Sequence, residues 1–396
     1  MSVVLVINSG SSSIKYQLIE MSGEQVLARG LIERIGTDSG AITHTGPDGE
    51  HRAERPILDH VAGFRAMMDA CNIWGPHLDD QPIVAVGHRV VQGGARFVQP
   101  TPIDDAAIRI LEAISSLAPL HNPPNLLGIE AARTAFPDLP QIAVFDTAFH
   151  QTMPPVAYTY AIDAALANQY RIRKYGFHGT SHKYVSELAA QSLGIPLDRF
   201  NAITLHIGNG VSACAIRGGK SVDTSMGMTP LEGLVMGTRS GDLDPGIIFH
   251  LARQAGMTVD QLDDLLNRRS GMLGLTGSSD LRDVQEAAER GDRRAALALD
   301  VYCHRIRHYV GAYHTDLDPL HAVVFTAGVG ENSAIVREKT LEGMQRFGIH
   351  LDAGRNRRRG SGIRRISADD SPVAVLVVPT NEELEIARQT LAAING

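Results

Sequence analysis

An α/β chain built from two related halves is what this sequence predicts, and three observations carry the expectation. An apolar run ending in a small-residue turn occurs twice, at "VVLVINSGSSSIKYQLIE" (3–20) and at "NAITLHIGNGVSACAIRGGKSVDTS" (201–225). Other apolar runs of strand length end in glycines or reactive side chains, the pattern of open α/β sheets that build sites at strand carboxyl ends. A length of 396 residues also exceeds what one hydrophobic core ordinarily serves.

Val3–Ile7 holds four β-branched residues in five and reads as a buried strand. Beyond the turn, Ile14, Tyr16 and Leu18 alternate with Lys15 and Gln17, which marks a second strand and not a helix. The hairpin is no Walker A loop, because it lacks the GxxxxGK[ST] spacing and no helix follows. Gly10 and the serines around it gather N–H and hydroxyl groups into a nest suited to phosphate. Taken alone, the stretch is equally an ordinary surface hairpin. Recurrence shifts the balance. Ala202–Ile207 runs into Gly208-Asn209-Gly210, then an alternating strand through Val211, Ala213 and Ala215, then a turn at Gly218-Gly219. A duplicated domain, each half offering a phosphate-holding hairpin to a shared cleft, accounts for both, with a nucleoside triphosphate as ligand.

The remaining motifs follow in chain order. "SGAITHTGPDGEHRAERPILDH" (39–60) reads as a polar excursion. In "PIVAVGHRVVQGG" (82–94), His88 and Arg89 come after an apolar run. "LAPLHNPPN" (117–125) reads as a proline-stiffened loop carrying His121, and strand Ile142–Phe145 delivers Asp146. In "YGFHGTSHKYV" (175–185), His178 and His182 have the spacing of HExxH zinc sites, but Gly179 replaces the general base. Thr180 or Ser181 is expected to cap the helix that follows, leaving His178 in the preceding loop. The Gly/Thr-rich loop 223–246 carries a single arginine, Arg239. Strand Ala322–Thr326 precedes a glycine segment, 327–332, and then an amphipathic helix. GVGEN departs from GxGxxG, so an adenosine platform is expected and not a dinucleotide site. Each strand-end Arg or Asp alone is commonly a salt-bridge partner; their weight comes from the set.

Composition narrows the classes. A hydrophobic content of 43%, 20% charged residues and a formal charge of −7 describe a globular protein without a general affinity for nucleic acid or membrane surfaces. Cys71, Cys214 and Cys303 are too few and too far apart for a disulfide framework. With no signal-peptide pattern and no apolar run of bilayer length, a cytoplasmic location is expected. Arg355–Arg365 holds six arginines and reads as a solvated loop.

Taken together, NSGSSSIK, GHRVVQGG, HNPPN, FDTAFHQTMP, YGFHGTSHKYV, HIGNGVSACAI, loop 223–246, FTAGVGEN and PTNEELEIA resemble the acetokinase family along nearly the whole chain. That family belongs to the superfamily of acetate and sugar kinases, heat-shock chaperones and actin. The resemblance implies duplicated ribonuclease H-like (actin-like ATPase) domains, mixed sheets flanked by helices, with the active site in the inter-domain cleft. Residues 1–150 with a C-terminal helix 384–396 would form the first domain, with the phosphate hairpin and acyl-acceptor site. Residues 151–383 would form the second, nucleotide-binding domain.

The implied reaction is direct in-line transfer of a phosphoryl group from ATP to acetate, reversible and magnesium-dependent, giving acetyl phosphate and ADP. Manganese is expected to substitute for magnesium. Arg89, Asp146, His178 and Arg239 match the family's catalytic positions. Asp146 matches a residue described as a proton donor, yet acetate at neutral pH needs no deprotonation, so orienting Arg89 or the metal is an alternative role. Val91, Leu120, Phe177 and Pro230 match the pocket for the acetate methyl, with His121 among the acceptor-binding positions. Lys15 and the run His206, Ile207, Gly208, Asn209 and Gly210 match phosphate contacts. Asp280, Leu281 and Arg282 match the outer nucleotide site, as do Gly328, Val329, Gly330, Glu331 and Asn332. Asn8 and Glu382 match metal positions. A homodimer is implied as well. Two alternatives stay open: a propionate kinase of the same family, and a non-kinase ATPase clamp that would leave the carboxylate site idle.

Overall fold

The computed structural model describes residues 2–396, which divide into two compact units. Residues up to Phe149 together with Asn381–Gly396 form the first, and His150–Thr380 the second. Among the described residues no helix is long and apolar enough to cross a membrane.

The first unit contains β1 (Val3–Ser9), β2 (Ser13–Glu20), β3 (Gln25–Glu33), β4 (Ala41–Gly46), β5 (Gly49–Glu54), β6 (Ile83–Val90), β7 (Thr101–Pro102) and β8 (Gln141–Phe145). Among the described residues they form one sheet in the order β5-β4-β3-β2-β1-β6-β8-β7. β1 to β5 pair antiparallel in sequence, whereas β6 runs parallel to both β1 and β8. Val3, Leu5 and Ile7 enter a core with Phe64 and Met67 of helix His60–Trp74 and with Ala131 and Ala132 of helix Asn122–Ala135. Burying each such large side chain is worth about 1.5–3 kcal/mol, so a one-residue slip that turned Asn8 inward is strongly disfavoured. The terminal helix Glu382–Asn395 packs on β1, β6 and β8. Gly87 permits this approach, since a methyl there would stand 2.3 Å from Thr390 Oγ1.

The second unit repeats the plan. Its strands are β9 (Ala202–Ile207), β10 (Val211–Arg217), β11 (Lys220–Thr224), β12 (Ala322–Thr326), β13 (Arg364–Arg365) and β14 (Ala374–Val377), ordered β11-β10-β9-β12-β14-β13 among the described residues. Again an antiparallel hairpin adjoins a parallel group, here β9, β12 and β14. Helix Gly179–Leu193 packs on β9 and β12, and helix Arg293–Asp316 on β9 and β10.

Several local expectations are corrected. Segment 39–60 is not an excursion: it supplies β4 and β5. Its His44 looks polar in sequence, but it is fully buried because Tyr16 Oη and the Gly75 carbonyl bond its ring at 2.6 and 2.8 Å. His88 and Arg89 lie inside β6, not after it. The prolines of HNPPN occupy the first turn of helix Asn122–Ala135, where a missing N–H costs nothing, so His121 directly precedes a helix. Helix Gly179–Leu193 starts two or three residues earlier than expected, and His178, at φ 56°, is the left-handed residue just before it. Thr180 and Ser181 fall within the first turn instead of preceding it, and Ser181 Oγ meets Thr380 Oγ1 and His206 Nδ1, each at 2.8 Å.

The glycine segment after β12 is itself a short helix, Ala327–Asn332. Glycine is a poor helix former, and the reason this turn holds is Arg337. That side chain is fully buried and donates from Nη1 to the carbonyls of Gly330 and Glu331 at 2.8 and 3.0 Å. The arginine-rich loop is likewise only partly solvated. Arg355 pairs with Asp369, Arg364 donates to the Glu331 carbonyl, and Arg365 donates to Ser367 Oγ.

Candidate active site

The expected site residues fall into two clusters, one in each unit. In the first unit, the parallel strands β1, β6 and β8 bring their carboxyl ends to one edge of the sheet. Asn8 sits near the end of β1 and pairs in register with Lys15 of β2; both line one cleft with Glu383. Arg89 of β6 meets Asp146, the residue just past β8, in a bidentate pair. Nη2 donates to Oδ2 at 2.7 Å and Nε to Oδ1 at 3.1 Å, with the Asp146 side chain 2% exposed and that of Arg89 23%. Asp146, and then Glu382 and Glu383, hold the guanidinium above its ordinary range, so it stays charged.

Glu382 opens the terminal helix behind its cap, Asn381. Its Oε1 is buried without a protein partner. Burial pushes its carboxyl up, and Arg89 and Lys15 pull only partly against that. A sealed carboxylate oxygen suits a hard cation that keeps most of its water and phosphate ligands. Among the described residues no group of three or more His, Cys, Asp or Glu side chains is placed to hold a metal.

The segment Val91–Gln92 is fastened by side chains that the motif reading did not single out. Asn125 Oδ1 accepts from the Val91 N–H at 3.1 Å, and its Nδ2 donates to the Ser9 carbonyl at 2.8 Å. Asn122 binds both the N–H and the carbonyl of Gln92. Two asparagines three apart in the first turns of a helix were the available signal. Val91 and His121 are half-buried and Leu120 is exposed.

In the second unit, His178 and Arg239 meet at the turn after β9. A methyl built on Gly210 would stand 3.3 Å from Cε1 and Nε2 of His178 and 3.8 Å from Nη1 of Arg239. The His178 ring stacks on His206 at 4.1 Å between centroids, and its Nδ1 is 2.8 Å from Ser212 Oγ. Arg239 donates to the Pro230 carbonyl at 3.2 Å. Burial lowers its guanidinium below the ordinary range. A desolvated cation of this kind is an anion site in waiting. His150 Nε2 meets the Phe177 carbonyl at 2.9 Å and so anchors the backbone next to His178. Phe177 itself is buried and Pro230 half-buried. His182, the other member of the HxxxH spacing, is committed to Thr204 and Ser212.

Beyond the same turn opens a cleft of about 720 Å³ in the second unit, within the range for a small-molecule site. Gly208, Asn209, Asp280, Leu281, Arg282, Gly328, Val329 and Asn332 line it. Four expected residues stand behind this wall. His206 and Ile207 are buried strand residues, Gly330 is buried, and Glu331 Oε1 accepts from the Thr380 N–H at 3.3 Å. Asp280 caps helix Leu281–Glu289 and pairs with Arg282 at 2.6 Å, which pulls its carboxyl down to about 2. Gly237 also belongs to the cleft: a Cβ there would fall 2.0 Å from Asn209 Oδ1. A lone glycine inside a glycine-rich loop carried no signal of that contact.

Two mixed sheets, each a hairpin beside a parallel group with helices against it, define the duplicated ribonuclease H-like class. The model of the acetokinase family matches residues 3–388. The chain is 61% identical over 396 residues to an acetate kinase of Clavibacter michiganensis subsp. michiganensis, covering all of both. It is 53% identical over 394 residues to an acetate kinase of Streptomyces coelicolor, covering 99% of this chain and 97% of that one. Among solved structures, acetate kinase of Porphyromonas gingivalis superposes with a TM-score of 0.95 at 43% identity, covering 100% of each chain. A propionate kinase from Francisella tularensis subsp. tularensis gives 0.93 at 41%, covering 99% of this chain and 100% of that one. The chain belongs to the acetokinase family.

Proposed function

We propose that the protein transfers the terminal phosphoryl group of ATP to acetate, reversibly and in line, giving acetyl phosphate and ADP. One observation carries the reading: in a chain of the acetokinase family, Arg239 and His178 both approach Gly210, in a glycine turn that adjoins a nucleotide-sized cleft, and burial is what lowers the Arg239 guanidinium. Phosphoryl transfer asks mainly for alignment and charge neutralisation, and such a cation supplies the second. About 4 Å from a unit negative charge it is worth roughly 4 kcal/mol at an effective dielectric of 20.

In this reading Arg89 takes the acetate carboxylate, while Arg239 and His178 take the charge on the phosphoryl group in flight. Asp146 positions Arg89 and moves no proton, because acetate is already ionised at neutral pH and both Asp146 oxygens are engaged. Val91, Leu120, Phe177 and Pro230 receive the methyl group, and His121 lies among the acceptor contacts. Lys15 and the turn His206–Gly210 serve the phosphates, and Asp280–Arg282 with Gly328–Asn332 serve the nucleoside. Asn8 and the orphaned Glu382 Oε1 would hold the magnesium that accompanies ATP, manganese substituting. That ion, when bound, neutralises phosphate charge. A homodimer in the cytoplasm, without nucleic-acid or membrane partners, completes the proposal.

Acetate is favoured over propionate as the acceptor, since the full-length relatives at 50–61% identity are acetate kinases. One methylene in an apolar pocket is worth only about 1–3 kcal/mol, so propionate is expected as a slower substrate. An ATPase clamp is not the reading, because it would leave Arg89 and the acceptor loop without work. The test is an acyl-acceptor scan with hydroxylamine trapping. Hydroxamate should form from ATP and acetate, less from propionate. ATP hydrolysis indifferent to acetate would overturn the proposal.

A further inference from the structure

Behind His178 runs a chain of buried hydrogen bonds to which the proposed reaction assigns no role. His178 Nδ1 lies 2.8 Å from Ser212 Oγ, Ser212 Oγ lies 2.8 Å from His182 Nε2, and His182 Nδ1 lies 2.7 Å from Thr204 Oγ1. Ser212, His182 and Thr204 are all 0% exposed. A hydroxyl has one hydrogen and can accept twice, but if Ser212 accepted from both imidazoles, its only partners among the described residues, its own hydrogen would be sealed without an acceptor, so it donates to one and accepts from the other. Burial, with His150 and His206 nearby, holds His182 well below the ordinary histidine range. Its ring is therefore neutral, with one N–H, and only two directions remain for the chain.

In the first direction Thr204 donates to His182 Nδ1, His182 Nε2–H donates to Ser212, and Ser212 donates to His178 Nδ1. Every hydrogen is used, and His178 keeps its proton on Nε2. In the reverse direction the Thr204 hydroxyl hydrogen is left without an acceptor, since His182 is the one partner of Thr204 Oγ1 among the described residues. A sealed, orphaned hydroxyl is disfavoured, which selects the first direction.

We propose that Ser212, backed by His182 and Thr204, is a positioning residue that fixes His178 as its Nε2–H tautomer, so that His178 meets the transferring phosphoryl group as a hydrogen-bond donor. Nε2 is the ring nitrogen on the Gly210 side, 3.3 Å from a methyl built on the glycine. In the other tautomer this nitrogen presents a lone pair to phosphate oxygens and repels them. The stack on His206 holds the ring plane, so the relay has only the proton left to set.

The inference rests on the reading of His178 as the group that stabilises the phosphoryl in flight, and the experiment separates the two. Nitrogen-15 NMR of the wild type, assigned against His178→Gln, should show Nε2 protonated and Nδ1 bare. Ser212→Ala should mix the tautomers and lower kcat about tenfold, about 1.4 kcal/mol, with both KM values within about twofold. Ser212→Thr keeps the hydroxyl and should recover kcat. Thr204→Val conserves shape and should act in the same direction, which covers a Ser212→Ala that does not fold. An Nδ1–H tautomer in the wild type, or full kcat in both relay variants, overturns the proposal. His178→Gln with full kcat would overturn the reading of His178 and the relay with it; His178→Gln inactive beside unimpaired relay variants would sink the relay alone.

Discussion

Replacing Asp146 with asparagine tests whether that carboxylate is what holds Arg89. The pair is joined at 2.7 and 3.1 Å, with side chains 2% and 23% exposed. Asparagine keeps one acceptor oxygen but turns an N–H donor toward the guanidinium, so one charge-assisted bond goes and the cation stays. Removing one partner of a buried pair costs about 3–5 kcal/mol. Arg89 retains some solvent and the attraction of Glu382 and Glu383, which places the loss at the lower end, about 3 kcal/mol. The chain carries its own reporter. Trp74, the single tryptophan, lies in the unit that holds the pair and stacks on His51 at 5.1 Å. Urea unfolding followed by Trp74 fluorescence should move to lower denaturant in Asp146→Asn. The hydroxamate assay should show KM for acetate rising well beyond KM for ATP. A loss under about 1 kcal/mol with an unchanged KM for acetate would refute the reasoning, because that is the range of an exposed pair.

Three further outcomes are expected. Arg239→Ala should lower kcat by about 10³–10⁵ while circular dichroism stays that of the wild type, the range for losing a transition-state arginine. Val91→Ala should raise the ratio of kcat/KM for propionate over acetate by about tenfold, the effect of room for one methylene, and an unchanged ratio would remove Val91 from the methyl pocket. Glu382 has its carboxyl pushed up by burial. An acid raised on folding adds stability below the ordinary glutamate value of about 4.3, and that contribution is lost as pH rises through the folded value. Glu382→Gln should therefore raise Tm near neutral pH but not in acid, and should abolish the Tm increase that magnesium gives the wild type; an unchanged magnesium effect would count against a metal at Glu382.

Most of the architecture was legible because strands announce themselves locally. Val3–Ile7 and Ala202–Ile207 are β-branched runs closed by glycine turns, and both are strands over those residues. What escaped the sequence was decided by partners far along the chain. The β4–β5 hairpin looks like polar filler until Tyr16 and the Gly75 carbonyl satisfy His44 from 28 and 31 residues away. The Ala327–Asn332 helix contains two of the poorest helix-forming residues and exists because Arg337 holds its last carbonyls. Site residues with reactive side chains at strand ends, such as Asp146, could be picked out one at a time. Their supports were harder: the spacing of Asn122 and Asn125 was a faint signal, whereas Ser212 and Gly237 are ordinary residues until the fold shows the group each one touches.

The two units also carry different side chains at corresponding places. After β1 and β9 come Asn8–Gly10 and Gly208–Gly210; at the ends of β6 and β12 come Arg89 and Gly328; past β8 and β14 come Asp146 and Thr380. Parallel strands bring these positions to one edge of each sheet, so the backbone plan is common and only the side chains differ. Under the proposed assignment the nucleotide is the larger ligand, and it supplies its own bulk and charge. Glycines let backbone N–H groups and flat surfaces come close to it. Acetate offers only one carboxylate and one methyl, too little to be held by backbone alone, so its half of the chemistry falls to Arg89 and the Asp146 that steadies it. The asymmetry of the substrates is thus written as an asymmetry between two copies of one fold.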